Sequence, residues 1–157
     1  ARTLEAVKAF TDAGITVNEL AIQASPTWST ADAKNTMEAW LTATFAADIE
    51  LVICNNDGMA FGAVQALKAA SMSIPVYGLD ALQQALTMIG DGDLTGTVLH
   101  DGQAVARAAI DLAINAALGN DILEGTDYEL DNSSTKAVRI PFVPITYSNY
   151  LDYLDQY

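Results

Sequence analysis

Positive charge is scarce in this chain. Seven Lys and Arg stand against 20 Asp and Glu, a net charge of −13 over 157 residues. So acidic a surface repels phosphate backbones and anionic membrane surfaces, which argues against nucleic acid as a partner. Cysteine is nearly absent. Cys54, the only one, lies in an apolar run and cannot form an internal disulfide. It reads as a small buried hydrophobe and leaves the redox compartment open. No apolar run approaches the roughly 18 residues of a membrane helix. The opening "ARTLEAVKAF" is charged and amphipathic, unlike a secretory leader, as a mature exported chain would also be. The phosphate loops GxGxxG and GxxxxGK[ST] and the nucleophile elbow GxSxG are missing as well. The single histidine, His100, stands beside Asp101, but no serine or cysteine partner for a triad is evident. Nothing singles out a carboxylate pair for glycoside chemistry. The stretch "GDGDLTG" (90–96) fails as a calcium loop, because position 12 counted from Asp91 is Gly102 where glutamate is required.

What is present is apolar and periodic. Hydrophobic residues make up 51% of the chain, enough for one ordinary domain with a real core. Leu4, Val7 and Phe10 recur at helical spacing and Gly14 follows as a stop. No N-cap precedes that helix, so the sequence reads as a piece cut inside a helix. "TVNELAIQ" (16–23) reads as a strand and "SPTWST" (25–30) as a loop. A helix is expected over 31–46, with Ala33, Met37, Trp40, Leu41 and Phe45 on its core face. Strands follow at 49–54, 74–79 and 96–99, alternating with helices at 58–70, 81–89 and 102–118, the last ended by Gly119. The polar stretch 119–135 is a loop, a marginal hairpin or a linker, and "KAVRIPFVPI" (136–145) is extended chain. Pro141 and Pro144 suit an edge better than a central strand. Strand alternating with helix at these spacings is the pattern of an α/β fold, a Rossmann-like parallel sheet flanked by helices.

In open parallel sheets, ligands bind beyond the carboxyl ends of the strands. Three such ends here become polar at once: "CNND" (54–57), "GLD" (78–80) and "VLHD" (98–101). Asp57 and Asp101 read first as helix caps. Asn56 and Asp80 terminate strands directly and read first as ligand contacts. Asn offers a donor and an acceptor and Asp two acceptor oxygens, the mixture that a neutral, hydroxyl-rich ligand needs. Trp28 falls outside any apolar periodicity. It either closes a hydrophobic edge or offers its face to the C–H side of a sugar ring.

On these motifs the chain resembles the C-terminal half of the periplasmic galactose/glucose-binding proteins. The resemblance is carried by "MEAWLTATFAADIELVICNNDGMAFGAVQALKAA" (37–70), "SIPVYGLDALQQAL" (73–86) and "LTGTVLHDGQAVA" (94–106). It covers nearly the whole chain and implies a type I periplasmic-binding-protein lobe, incomplete here. It further implies that Arg2, Asn56 and Asp80 hydrogen-bond sugar hydroxyls and that Trp28 stacks on the pyranose. At His100 the family usually has asparagine, so this chain departs there, and the resemblance implies that His100 takes its place as a sugar-hydroxyl contact. Glu50 matches a bidentate glutamate of a calcium site whose other ligands lie outside this chain. No cofactor is implied as required, and calcium belongs to the complete protein. By the same resemblance residues 1–99 and 142–157 build the C-terminal lobe. Residues 100–141 cross the hinge to the N-terminal lobe, leaving helix 103–118 without its partner. The implied protein is a soluble periplasmic receptor, without catalysis, for a neutral hexose such as glucose or galactose. Its partners are the missing N-terminal half, an ABC permease and a chemoreceptor. Two readings compete with it. One is the sugar-effector domain of a LacI-type repressor, against which the acidity weighs. The other is a sugar-processing enzyme, which turnover would reveal.

Overall fold

A computed structural model of the chain describes residues 2–131 and 137–154. Among the described residues five helices and four strands follow one another, alternating from β1 onward: α1 (Arg2–Asp12), α2 (Thr30–Trp40), β1 (Val52–Ile53), α3 (Asp57–Ala69), β2 (Val76–Tyr77), α4 (Gln83–Gly90), β3 (Gly96–Leu99), α5 (Gly102–Leu118) and β4 (Val143–Thr146). Short 3-10 turns occupy Ala46–Asp48 and Tyr150–Asp152. The strands form one sheet in the order β1-β2-β3-β4. β1 pairs in parallel with β2, Val52 opposite Val76, and β2 in parallel with β3, Tyr77 opposite Gly96. Parallel neighbours require helical crossovers, and α3 and α4 supply them. β4 holds the far edge, the place where Pro144 costs the ladder no central hydrogen bond.

By its internal contacts the chain divides into two compact units. One comprises residues 1–99 with 144–157, the other residues 100–143. In the first, α3 packs on β2, α4 on β3, and α2 on α3. Phe61, Val64 and Leu67 of α3, Leu86 and Ile89 of α4, Val76, Leu99 and Ile145 of the sheet, and Met37 of α2 are buried together as the core. Burying each large aliphatic chain contributes roughly 1.5–3 kcal/mol. In the second unit, α5 ends at Gly119, whose φ of +75° suits the left-handed stop that glycine adopts without strain. Asn115, buried on α5, donates to the carbonyls of Ile122 (3.1 Å) and Glu124 (2.8 Å) and staples the following loop to the helix. A single antiparallel bridge, Leu130 to Val138, is all that the expected hairpin shows among the described residues. Val105, Ile110, Ile114 and Leu118 of α5 are exposed.

Three sequence expectations are corrected. Residues 16–23 form no strand. Their apolar positions, Val17, Leu20 and Ile22, break the alternation of two that a half-buried strand needs, and Asn18 and Glu19 fall between them. Helix α2 stops at Trp40 where it was expected to reach 46. Turns and the first 3-10 segment carry the chain on, and Trp40 and Phe45 are half-buried where full core positions were expected. β1 and β2 are also much shorter than the apolar runs that hold them. Ile53 and Tyr77, the second residue of each, are exposed. Of the expected extended stretch 136–145, residue 136 lies outside the described residues.

Candidate sugar-binding site

The polar strand ends fall at one level of the sheet. Ile53 of β1 lies opposite Tyr77 of β2. Three residues beyond each come Asn56 and Asp80. Asn56 is the N-cap of α3, its Oδ1 accepting from the Met59 amide at 2.8 Å. Its Nδ2 donates to the Trp28 carbonyl at 3.1 Å, which ties the 25–30 loop to the end of β1. So the carboxamide that was read first as a ligand contact is also a cap and a loop anchor. Asp101 caps α5 through a 2.8 Å bond from the Ala104 amide, as its residue type predicts.

Trp28 stands at the tip of that loop with half of its surface exposed (51%). Its φ is +57°, a left-handed conformation that a bulky aromatic residue rarely adopts. Strain of this kind persists only where the surroundings fix it. Here they do. Asp32, in the first turn of α2, gathers the loop on one carboxylate oxygen. Oδ2 accepts from Thr27 Oγ1 (2.5 Å), from the Thr27 amide (3.3 Å) and from Ser25 Oγ (3.2 Å). The Thr27 hydroxyl bond above all holds the Asp32 carboxyl below its ordinary pKa. Arg2, on α1, lies with its guanidinium carbon 5.9 Å from the centre of the Trp28 ring and donates to the Asn55 carbonyl. Asn55 in turn donates to Thr3 Oγ1 at 3.0 Å. Arg2, Trp28 and Asn56 are thus brought together, with Asp80 at the end of the neighbouring strand. His100 belongs to the second unit, where it is exposed and packs on Phe142 with ring centres 5.2 Å apart.

The sequence reading took Asp57 first for a helix cap. It is wholly buried, and it is neither a cap nor a surface ligand. Its carboxylate accepts from Thr97 Oγ1 at 2.6 Å and from the Leu82 amide at 2.8 Å, joining the start of α3 to β3 and to the segment before α4. Burial raises its pKa above the ordinary value. Gly78 leaves room for it, since a Cβ there would stand 2.2 Å from Asp57 Oδ1. Only that crowding marks the arrangement in sequence, as a glycine between the apolar run of β2 and Asp80. Half-buried Cys54, beside Asp57, has its thiol pushed up to about 12, first by burial and then by that carboxylate. It is an unreactive thiol. Glu50 is exposed, and among the described residues no three His, Cys, Asp or Glu side chains gather as a metal site. Calcium takes six to eight oxygens, so the described residues do not make its site.

Residues 1–121 match the periplasmic binding protein domain. The chain belongs to the periplasmic binding protein family. It is 40% identical, over 98% of its length, to the D-galactose/methyl-galactoside binding periplasmic protein MglB of Haemophilus influenzae, and covers 45% of that protein. Among solved structures it is similar to an ABC transporter solute binding protein of Bacillus halodurans with bound myo-inositol. That pair shares 27% identity and a TM-score of 0.74, over 98% of this chain and 49% of the other. A periplasmic solute binding protein of Actinobacillus succinogenes with bound D-allose shares the fold, at 24% identity and a TM-score of 0.78 over 97% and 49% of the two chains. The chain therefore spans about half the length of these family members. The fold is that of a type I periplasmic-binding-protein lobe, in a family of transport receptors rather than of enzymes. Among the described residues no helix is long and apolar enough to cross a membrane.

Proposed function

We propose that this chain is the C-terminal part of an extracytoplasmic receptor for a neutral hexose, glucose or galactose, serving an ABC permease. Residues 1–99 and 142–157 form its C-terminal lobe, and residues 100–141 lead through the hinge into the N-terminal lobe. Closure of the two lobes around the sugar draws hydrogen bonds from both sides of the cleft, and the closed form is what the permease, and a chemoreceptor, recognise. The observation that supports this reading best is the grouping at one strand end of the exposed Trp28 ring, the Arg2 guanidinium over it and the Asn56 carboxamide. An aromatic face takes the C–H side of a pyranose, while the cation and the amide take hydroxyls. Asp80 adds acceptor oxygens. Galactose is the hexose suggested by the binding named for the Haemophilus relative.

The test is calorimetric titration of D-galactose and D-glucose into the two-lobed protein, native and Trp28→Ala. The substitution is expected to weaken binding by about tenfold or more, with the unfolding midpoint little changed because the ring is half exposed. Equal affinity in the two proteins would remove Trp28 from the site.

A further inference from the structure

The turn after β2 has a backbone that side chains rarely adopt. Asp80 has φ +119° and Ala81 φ +58°, adjacent and neither a glycine. Such conformations survive only where the surroundings over-determine them. Backbone groups on every residue from Leu79 to Leu82 are tied down. The Leu79 carbonyl accepts from the Asp57 amide at 2.8 Å, and the Asp80 amide donates to the Val98 carbonyl at 2.9 Å. The Ala81 amide donates to Thr97 Oγ1 at 3.3 Å and the Leu82 amide to Asp57 Oδ2 at 2.8 Å. The Thr97 hydroxyl closes the circuit on Asp57 Oδ1 at 2.6 Å. Asp57 and Thr97 are 0% and 2% exposed, so neither competes with water for these bonds. Asp57 also follows Asn56 directly, so one buried carboxylate fixes the strand end of Asn56 to the turn that carries Asp80.

We infer that Asp57 and Thr97 are positioning residues for sugar recognition: they hold the Asp80 turn in its left-handed backbone and in register with Asn56. The inference rests on the proposed reading of Asp80 as a hydroxyl contact. A fixed φ fixes the direction of the Cα–Cβ bond. A turn released to ordinary backbone carries the Asp80 carboxylate elsewhere, while the strands remain in place.

The test is a double-mutant cycle in the two-lobed protein, probed with D-galactose and D-glucose. Thr97→Val keeps the shape and removes the hydroxyl, and is expected to raise Kd about tenfold. In an Asp80→Ala background the same substitution is expected to change Kd less than about twofold, because the contact that it positions is already lost. Thr97→Ser, which keeps the hydroxyl, is expected to bind within about twofold of the native protein. An unchanged Kd in Thr97→Val, or an equal fold-loss in both backgrounds, overturns the inference, because a merely structural effect adds. Should Thr97→Val fail to fold, Asp57→Asn is put through the same cycle, and the same two results overturn the inference. Absence of sugar binding by the unmutated two-lobed protein instead overturns the receptor reading, and it shows before any substitution is made.

Discussion

Replacing Gly62 by alanine is expected to cost the fold about 3 kcal/mol or more, the upper range for an overpacked core. Gly62 is the point at which α3 meets α2. A Cβ added there would stand 2.1 Å from the Thr30 carbonyl oxygen and 2.8 Å from the Lys34 amide nitrogen. Both are backbone atoms of α2, so no side-chain rotation relieves the clash, and the helices must separate. Separation also reaches the site. Thr30 Oγ1 donates to the Gly58 carbonyl at 2.8 Å, and the loop of Trp28 runs directly into α2. Denaturant unfolding measures the loss as a lower midpoint. A loss below about 1 kcal/mol would mean that the two helices are not locked at this contact.

The second large effect is expected at Asp57. Truncation to alanine orphans two donors, the buried Thr97 hydroxyl and the part-buried Leu82 amide. At about 1–3 kcal/mol for each unsatisfied group, the expected cost is about 2–6 kcal/mol. Asp57→Asn is expected to cost less, because it retains one acceptor and removes the buried charge. The pH dependence follows from the raised pKa. A carboxyl whose folded pKa lies above its unfolded value binds its proton more tightly when folded. Its contribution to stability is therefore present at low pH and is lost as pH rises through the folded value. Between native protein and Asp57→Asn, the difference in unfolding free energy should drift against the native protein over that rise. Denaturant melts of both proteins across the acid range measure it. A flat difference would mean that Asp57 titrates with its ordinary pKa.

The α/β layout was legible because its signals are local. Apolar runs ending in polar residues marked β1, β2 and β3, and glycine marked the end of α5. Asp101 caps α5 as its residue type predicts, whereas the cap of α3 is Asn56 and not the expected Asp57. What stayed hidden depends on partners distant in sequence. Residues 16–23 looked like a strand by composition, but a strand exists only with a ladder beside it. Trp40 and Phe45 continued the spacing of α2, yet spacing alone did not reveal that the helix ends at Trp40. In the site, Trp28 stood out because it broke the periodicity around it. Asp32 did not stand out, and Asp57 stood out only as a helix cap. One organises the loop that holds Trp28 and the other bonds across 40 residues to Thr97, and only the folded chain brings these groups together.

Hexose recognition of the proposed kind needs a cleft built by both lobes. D-Galactose and D-glucose should be titrated calorimetrically into this chain alone and into the chain with an N-terminal half restored. The prediction is weak or absent binding by the chain alone and saturable hexose binding once both halves are present. Micromolar binding by the chain alone would contradict the half-receptor, and no binding by the restored protein would contradict sugar recognition itself.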